Sequence, residues 1–216
     1  MPVRHHNPEW HYNELNYKPG EALQIDVLHS TVLSRFGKFR YHLVCVCIIS
    51  GFVFDRPLLS TGTDDFIAAI NSIKTQLHLE FRVTLKLLIP DSASSFKEVD
   101  RLTRWKIENN CQISPFAPHL HERNKAENTI KLLRNGAVIR LHALKGVSVG
   151  GKQLVPEEYF PDAFRHVAET LNQSASAFYA RIHGKWMSPR QILGSGEVPG
   201  LPVWRACYYW TLKGNE

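Results

Sequence analysis

The chain has 216 residues, 44% of them hydrophobic and 11% aromatic, which supplies apolar side chains for a sizeable core and excludes a disordered or low-complexity chain. Lys and Arg outnumber Asp and Glu by 26 to 20, and the resulting charge of +6 favours polyanionic partners such as nucleic acid without singling them out from an ordinary basic surface. Cys45, Cys47, Cys111 and Cys207 include no CxxC pair and stand at no zinc-finger spacing from His5, His6 or His11, so buried reduced thiols are expected in place of a disulfide scaffold or a zinc module.

Residues 1–20 are polar and end in Lys18-Pro19-Gly20, a turn signal at which the folded region is expected to begin. EALQIDVLHST alternates apolar and polar residues, FRYHLVCVCII is rich in β-branched and aromatic side chains, and FVFDRPLL follows Ser50-Gly51, so three strands in an antiparallel meander are expected. The apolar run from Tyr41 to Phe54 is too short for a membrane helix and is broken by Ser50-Gly51. The polar start has no secretory pattern, so the chain is expected to act inside a cell and away from membranes.

Thr63 and Asp64 offer a cap for a helix whose Phe66, Ile67, Ile70, Ile73 and Leu77 share one face. RVTLKLLIP predicts a fourth strand stopped by Pro90, and SFKEVDRLTRWKIENN a second helix with Phe96, Val99, Leu102 and Ile107 inward. CQISPFAP predicts a short fifth strand. From His121 to Leu144 a long helical pattern turns Ala126, Ile130, Leu133, Ala137, Leu141 and Leu144 to the core. The Gly-rich break KGVSVGGKQLVP, a helix around Tyr159 to Leu171 and a strand-like PVWRACYYW complete the chain. A meander followed by alternating helices and strands predicts an α/β fold, a mixed five-stranded sheet of three antiparallel and then two parallel strands flanked by helices.

Three acids stand out in this frame. Asp26 lies inside the first strand between Ile25 and Val27, where Asp is depleted and an unpaired charge is costly. Asp91 follows the fourth strand, and ligand sites in such sheets collect at the carboxyl ends of strands. Glu127, next to Ala126, borders the core face of the long helix. Acids on a strand centre, a strand end and a helix suit a hard, oxygen-liganded cation, while a turn role for Asp91 and a solvated one for Glu127 are the plainer alternatives. On the helix, Lys131 and Arg134 share the face of Glu127, four and seven residues on, and suit phosphate; a solvated basic face is the alternative. Trp105, Trp186 and Trp204 fit core or interface better than base stacking.

These residues meet a family pattern over roughly residues 18–210. The chain resembles the integrases of copia-type long-terminal-repeat retrotransposons and, more distantly, retroviral integrases. Lys18-Pro19-Gly20-Glu21 leading into Leu23-Gln24-Ile25-Asp26 is similar to the family's PGE-x-LH-x-D opening, and Pro90-Asp91 with Phe96 to its DNGxEF motif. HERNKAEN is similar to QQNGVAER and puts Glu127 on the family's glutamate, with 35 residues between it and Asp91. Ile182-His183-Gly184-Lys185 through Ser188-Pro189 to Ile192-Leu193-Gly194, and then Val203-Trp204-Arg205-Ala206-Cys207, resemble two downstream segments. The chain departs from the pattern at Ser92-Ala93, Ser95, Ile48-Ile49-Ser50-Gly51 and His121-Glu122-Arg123-Asn124.

The resemblance implies a ribonuclease-H-like catalytic core over residues 19–146, a flexible leader over 1–18, and a helical extension with a strand-like tail over 147–216. It implies a core cut from a longer polyprotein. Asp26, Asp91 and Glu127 would be catalytic and would bind two Mg²⁺ or Mn²⁺ ions, for 3′-end processing of element DNA and strand transfer into target DNA. His119, Arg123, Lys125, Lys131 and Arg134 would contact nucleic acid. The implied partners are element-end and target DNA and further copies of the chain, acting in the nucleus and in retroelement particles. Two rival readings keep the same residues: a catalytically silent nucleic-acid-binding or assembly module, and a ribonuclease-H-type nuclease without strand transfer.

Overall fold

The computed structural model describes residues 17–30, 33–34, 37–90, 99–114, 125–149, 151–153, 155–175 and 186–194. The expectations on the leader, on Asp91 to Phe96, on His119 and Arg123, and on the C-terminal strand-like stretch fall outside these residues.

Chain entry to the sheet is a tight turn. Glu21 N–H donates to the Lys18 carbonyl at 3.0 Å while Gly20 takes φ +88°, the left-handed conformation that a Pro-Gly turn demands. A Cβ at Gly20 would also stand 3.0 Å from Val83 and Leu193. Strands β1 (Ala22–His29), β2 (Tyr41–Cys47) and β3 (Val53–Leu58) then form the expected antiparallel meander. Strands β4 (Leu87–Pro90) and β5 (Gln112–Ile113) add in parallel, giving the order β3-β2-β1-β4-β5.

Helices cover both faces of this sheet. Helix α1 (Thr63–Phe81) buries Phe66, Ile70, Ile73 and Leu77 against Leu23, Ile25, Leu43 and Phe54, joined by Leu102 and Trp105 of α2 (Val99–Glu108). On the other face α3 (Lys125–His142) buries Ala126, Ile130, Leu133, Ala137 and Leu141, the pattern read from sequence, against Val44 and Val46. Helix α4 (Phe160–Gln173) follows a single 3-10 turn at Pro156–Tyr159 and packs beside α3 through Ala163, Phe164 and Val167. It is pinned to β3 by Asn172, whose side chain accepts from Val53 N–H at 2.7 Å and donates to the Val53 carbonyl at 2.8 Å. The short α5 (Pro189–Ile192) starts with a reciprocal Ser188–Gln191 capping box and lays Leu193 on the α1-side core.

Four local expectations need correction. Ile107 is 73% exposed, because Leu102 and Trp105 define the inner face of α2 and Ile107 lies about 200° around the helix from Trp105. Helix α1 is capped at Gly62 without a side-chain bond; Asp65 instead accepts from Ser60 N–H at 2.8 Å. Strand β4 is shorter than RVTLKLLIP, because Arg82 at φ +57° closes α1 in a left-handed cap with Val83 N–H bonded to the Leu77 carbonyl, and it includes Pro90. Of the tryptophans expected in core or interface, Trp105 is buried in the core, while Trp186 is 68% exposed, which removes the core alternative for it and leaves the interface one. The Gly-rich break holds a small hairpin, β6 (Ser148–Val149) with β7 (Lys152–Gln153). No helix among the described residues is long and apolar enough to cross a membrane.

Gly136 sets how closely α3 approaches α4. A Cβ there would meet the two methyls of Val167 at 2.9 and 3.0 Å, and a valine packed in a core cannot swing away. Gly136→Ala should therefore lower the thermal midpoint even though alanine is the better helix former by about 1 kcal/mol. The same substitution in a Val167→Ala background should be less harmful, and equal penalties in the two backgrounds would remove the contact as the cause.

Candidate active site

Side chains alternate across β1. Leu23, Ile25 and Val27 face α1, so Ala22, Gln24, Asp26 and Leu28 face the side covered by α3 and α4. Asp26 is half-buried there, paired with Val44 of β2, and its Oδ1 accepts from Val27 N–H at 2.7 Å. The register Ala22↔Leu87 to Ile25↔Pro90 ends one residue before Asp26, so from Asp26 onward β1 has no β4 partner among the described residues. The described part of β4 thus stops beside Asp26, and Asp91, the next residue in the chain, lies outside what is described.

The start of α3 is tied to this face of β1. Lys125 N–H donates to Gln24 Oε1 at 2.6 Å, and Lys125 Nζ donates to the Ile48 carbonyl, just past β2, at 2.5 Å. Lys125 therefore directs at least one of its three ammonium donors inward. Ala126 is fully buried beneath the first helical turn, and Glu127 beside it is half-exposed. Its Oε1 lies 2.8 Å from Lys131 Nζ, an i,i+4 pair with the acid at the helix's positive end. Arg134, on the same side of the helix, is exposed. Of the three predicted acids the described structure thus brings two, Asp26 and Glu127, to one face of the sheet, and it leaves Asp91, His119 and Arg123 undescribed.

Gln24 is the residue that sequence reading passes over. Alternation along β1 makes it an outward polar residue, yet it is fully buried because the second face of the sheet is also covered. Asp55 tests the opposite error. The pairs Asp26↔Val44 and Val44↔Asp55 put it in the same cross-strand row as Asp26, roughly 9.5 Å away at the usual strand spacing. However, Asp55 is buried, its Oδ1 is 2.8 Å from His42 Nδ1, and the His42 ring packs under Phe160 and Phe164. Its carboxylate is thus enclosed in the core with His42 as its partner, which is a structural role.

Other reactive groups are quiet. Burial pushes the Cys111 thiol up to about 11 and the Cys45 thiol higher still, so neither is an available nucleophile, in line with free, buried cysteines. At the start of β1, burial opposes the Glu21 charge, but hydrogen bonds from Lys86 and Lys18 outweigh it and hold the carboxyl below its ordinary range. Among the described residues no group of three or more His, Cys, Asp or Glu is placed to hold a metal ion. What the described part offers is carboxylate oxygen, the donor type hard divalent cations prefer, and Glu127 already holds one cation, the Lys131 ammonium.

Comparison with known proteins adds the fold. A chain of the simian T-cell lymphotropic virus intasome, solved in complex with PP2A regulatory subunit B56 gamma, superposes with a TM-score of 0.60 at 12% identity over 86% of this chain and 58% of that one. The HTLV-2 integrase catalytic core domain in complex with magnesium gives 0.56 at 16% identity over 81% of this chain and 97% of that one. The BIV integrase catalytic core domain gives 0.51 at 15% identity over 88% and 99%. The fold is that of an integrase catalytic core. The five-stranded integrase-core sheet, mixed and flanked by helices, is thus established as expected. The chain spans little more than half the length of the intasome chain it matches but nearly all of the isolated core domains. No family model matches the chain, and no curated protein matches it.

The structural role of Asp55 has a direct consequence. Asp55→Ala should cost about 1–3 kcal/mol in a denaturant titration, because it strands the buried His42 ring without its partner. The double change His42→Phe with Asp55→Leu should cost less than Asp55→Ala alone, since no buried polar group is then left unpaired. A double variant as damaged as the sum of its singles would contradict that account.

Proposed function

We propose that this chain is the catalytic core of a copia-type retrotransposon integrase, which processes the 3′ ends of element DNA and joins them to target DNA in the nucleus. The observation that carries the reading is the placement of Asp26 and Glu127 on one face of the sheet, beside the carboxyl end of β4. Asp91 is one peptide unit, about 3.8 Å between Cα atoms, from Pro90, which pairs with Ile25 next to Asp26. That covalent tether supports Asp91 as the third acid. The match of the fold to cores solved with magnesium, and in a viral intasome, supports the same reading.

In this reading Asp26, Asp91 and Glu127 hold divalent cations through carboxylate oxygen. Divalent cations held there would supply Lewis-acid activation of the attacking oxygen and charge stabilisation of the leaving oxygen of a phosphodiester. The remaining work falls to the chain's own groups. Asp26 and Glu127 fix the site from a strand and a helix that are packed into opposite walls of one core layer, so neither is carried on a loop. Lys131 releases Glu127 and turns to a phosphate, with Arg134 one turn on at the same face, and both orient the backbone of the DNA. His119, Arg123 and Lys125 are proposed to extend this basic approach. Self-association, as in the HTLV-2 core solved in dimeric and trimeric forms, would bring two element ends to one target.

Joining of a short element-end DNA to a plasmid in the presence of Mg²⁺ tests the function. Wild type should give joined product, whereas Asp26→Asn, Asp91→Asn and Glu127→Gln should each abolish it while staying folded. Mg²⁺ should also raise the thermal midpoint of the wild type and do so less in Glu127→Gln, by mass action on the native state. Cleavage without joining would favour the nuclease reading, and DNA binding with neither reaction would favour the silent module.

The basic face generates a separate expectation. DNA affinity should fall steeply with salt, and the double substitution Lys131→Ala with Arg134→Ala should lower the slope of log affinity against log salt by about one unit per lost phosphate contact. An unchanged slope would return both residues to the solvated surface.

A further inference from the structure

We infer that Gln24 is a positioning residue for this site, setting through one buried hydrogen bond how the strand bearing Asp26 meets the helix bearing Glu127. The inference rests on the reading of Asp26 and Glu127 as acids of one active site.

Gln24 is fully buried, on the α3 side of the central strand. Its Oε1 accepts from Lys125 N–H at 2.6 Å, across 101 residues of sequence. That N–H belongs to Lys125, the first described residue of α3, so the bond joins the helix backbone directly to a side chain of the central strand. The other end of the same amide, Gln24 Nε2, is buried and has no hydrogen-bond partner among the described residues. An unpaired buried NH₂ is unfavourable, and leucine or methionine would fill the same space without it. What glutamine adds over either is the bond to Lys125.

The position of that bond explains its use. Asp26 is two residues beyond Gln24 on β1, and Glu127 is two residues beyond Lys125 on α3. A strand advances about 3.3 Å per residue and a helix about 1.5 Å, so each acid sits within one short, regular step of an anchored atom pair. The second tether, Lys125 Nζ to the Ile48 carbonyl, runs through a flexible four-carbon stem and keeps the helix near the sheet without fixing its register. Carboxylates shared between cations tolerate misplacement of only a few tenths of an ångström. Loss of the Gln24 bond therefore acts on cation binding first, and on the fold much less.

The test is a Mg²⁺ titration of the full chain read in two ways, by the rise in thermal midpoint and by strand-transfer yield, for wild type, Gln24→Met, Gln24→Glu, Gln24→Asn and Glu127→Gln. Gln24→Met, which fills the space without an acceptor, should need about tenfold or more Mg²⁺ for half-effect on both readouts, the usual scale for groups that orient metal ligands. DNA binding without metal should not change. Gln24→Glu keeps an oxygen where Lys125 N–H points and should recover most of the Mg²⁺ response, a rescue that a space-filling role would not give. Should Gln24→Met fail to fold, Gln24→Asn, with the same amide one methylene short, should show the shifted Mg²⁺ dependence. A wild-type Mg²⁺ dependence in whichever of these two variants folds, while Glu127→Gln has lost the response, overturns the role of Gln24 and leaves the site standing. A wild type with no Mg²⁺ response, or an active Glu127→Gln, overturns the site itself and takes this inference with it.

Discussion

Strand β1 is hydrogen-bonded along both edges over Ala22–Ile25 and covered by helices on both faces, and the rest of the structure is arranged around that double burial. A strand in this position can show no side chain to water, so every polar group on it needs a partner supplied by another element. Gln24 finds one for its Oε1 in the Lys125 N–H of α3, while its Nε2 finds none among the described residues. Asp26 lies one residue past the last described β4 pair and is half-buried, so its carboxylate stands inside a sheet without being sealed into it.

The elements that sequence alone made legible are those whose apolar period is long and uninterrupted. The α3 face from Ala126 to Leu141 repeats over four turns, and the meander is written in β-branched runs punctuated by Pro19-Gly20 and Ser50-Gly51. What escaped was local. Ile107 and Trp105 compete for one face of a ten-residue helix, and the larger ring wins because it buries more surface and its Nε1 donates to Asn71 at 2.9 Å. The β6–β7 hairpin is two residues a side with little apolar surface, too little pattern to announce a strand. At the site, Asp26 was visible as an acid inside an apolar strand. Gln24 was not, because strict alternation assigns a polar residue to solvent unless the other face is known to be covered.

An integrase-core fold kept at 12–17% identity to other such cores is physically unsurprising. A core of this kind asks for apolar side chains of roughly the right volume at the right period, and many sequences meet that demand. Its chemistry asks for far more specific things, oxygen ligands at fixed places. Likeness of backbone therefore establishes the layers and the topology, while the argument for function has to run through single residues such as Asp26 and Glu127 and through what reaches them.

Access separates the charges of this molecule into two kinds. His42, packed against Phe160 and Phe164, and Asp55 are both almost fully buried, so breaking their bond would leave further polar atoms stranded in an apolar layer. Glu127 and Lys131 have side chains 36% and 64% exposed, and a pair so open to water contributes only about 0.3–0.5 kcal/mol. Exchanging it is correspondingly easy. In the proposed function Glu127 would have to release Lys131 to bind a divalent cation and Lys131 would have to release Glu127 to meet a phosphate, and a strong ion pair would oppose both steps. The weak pair sets the two side chains on one side of α3. The firm constraint lies beneath, in the Gln24–Lys125 bond and the buried Ala126, where the backbone of the helix is held and the side chains above it are left able to move.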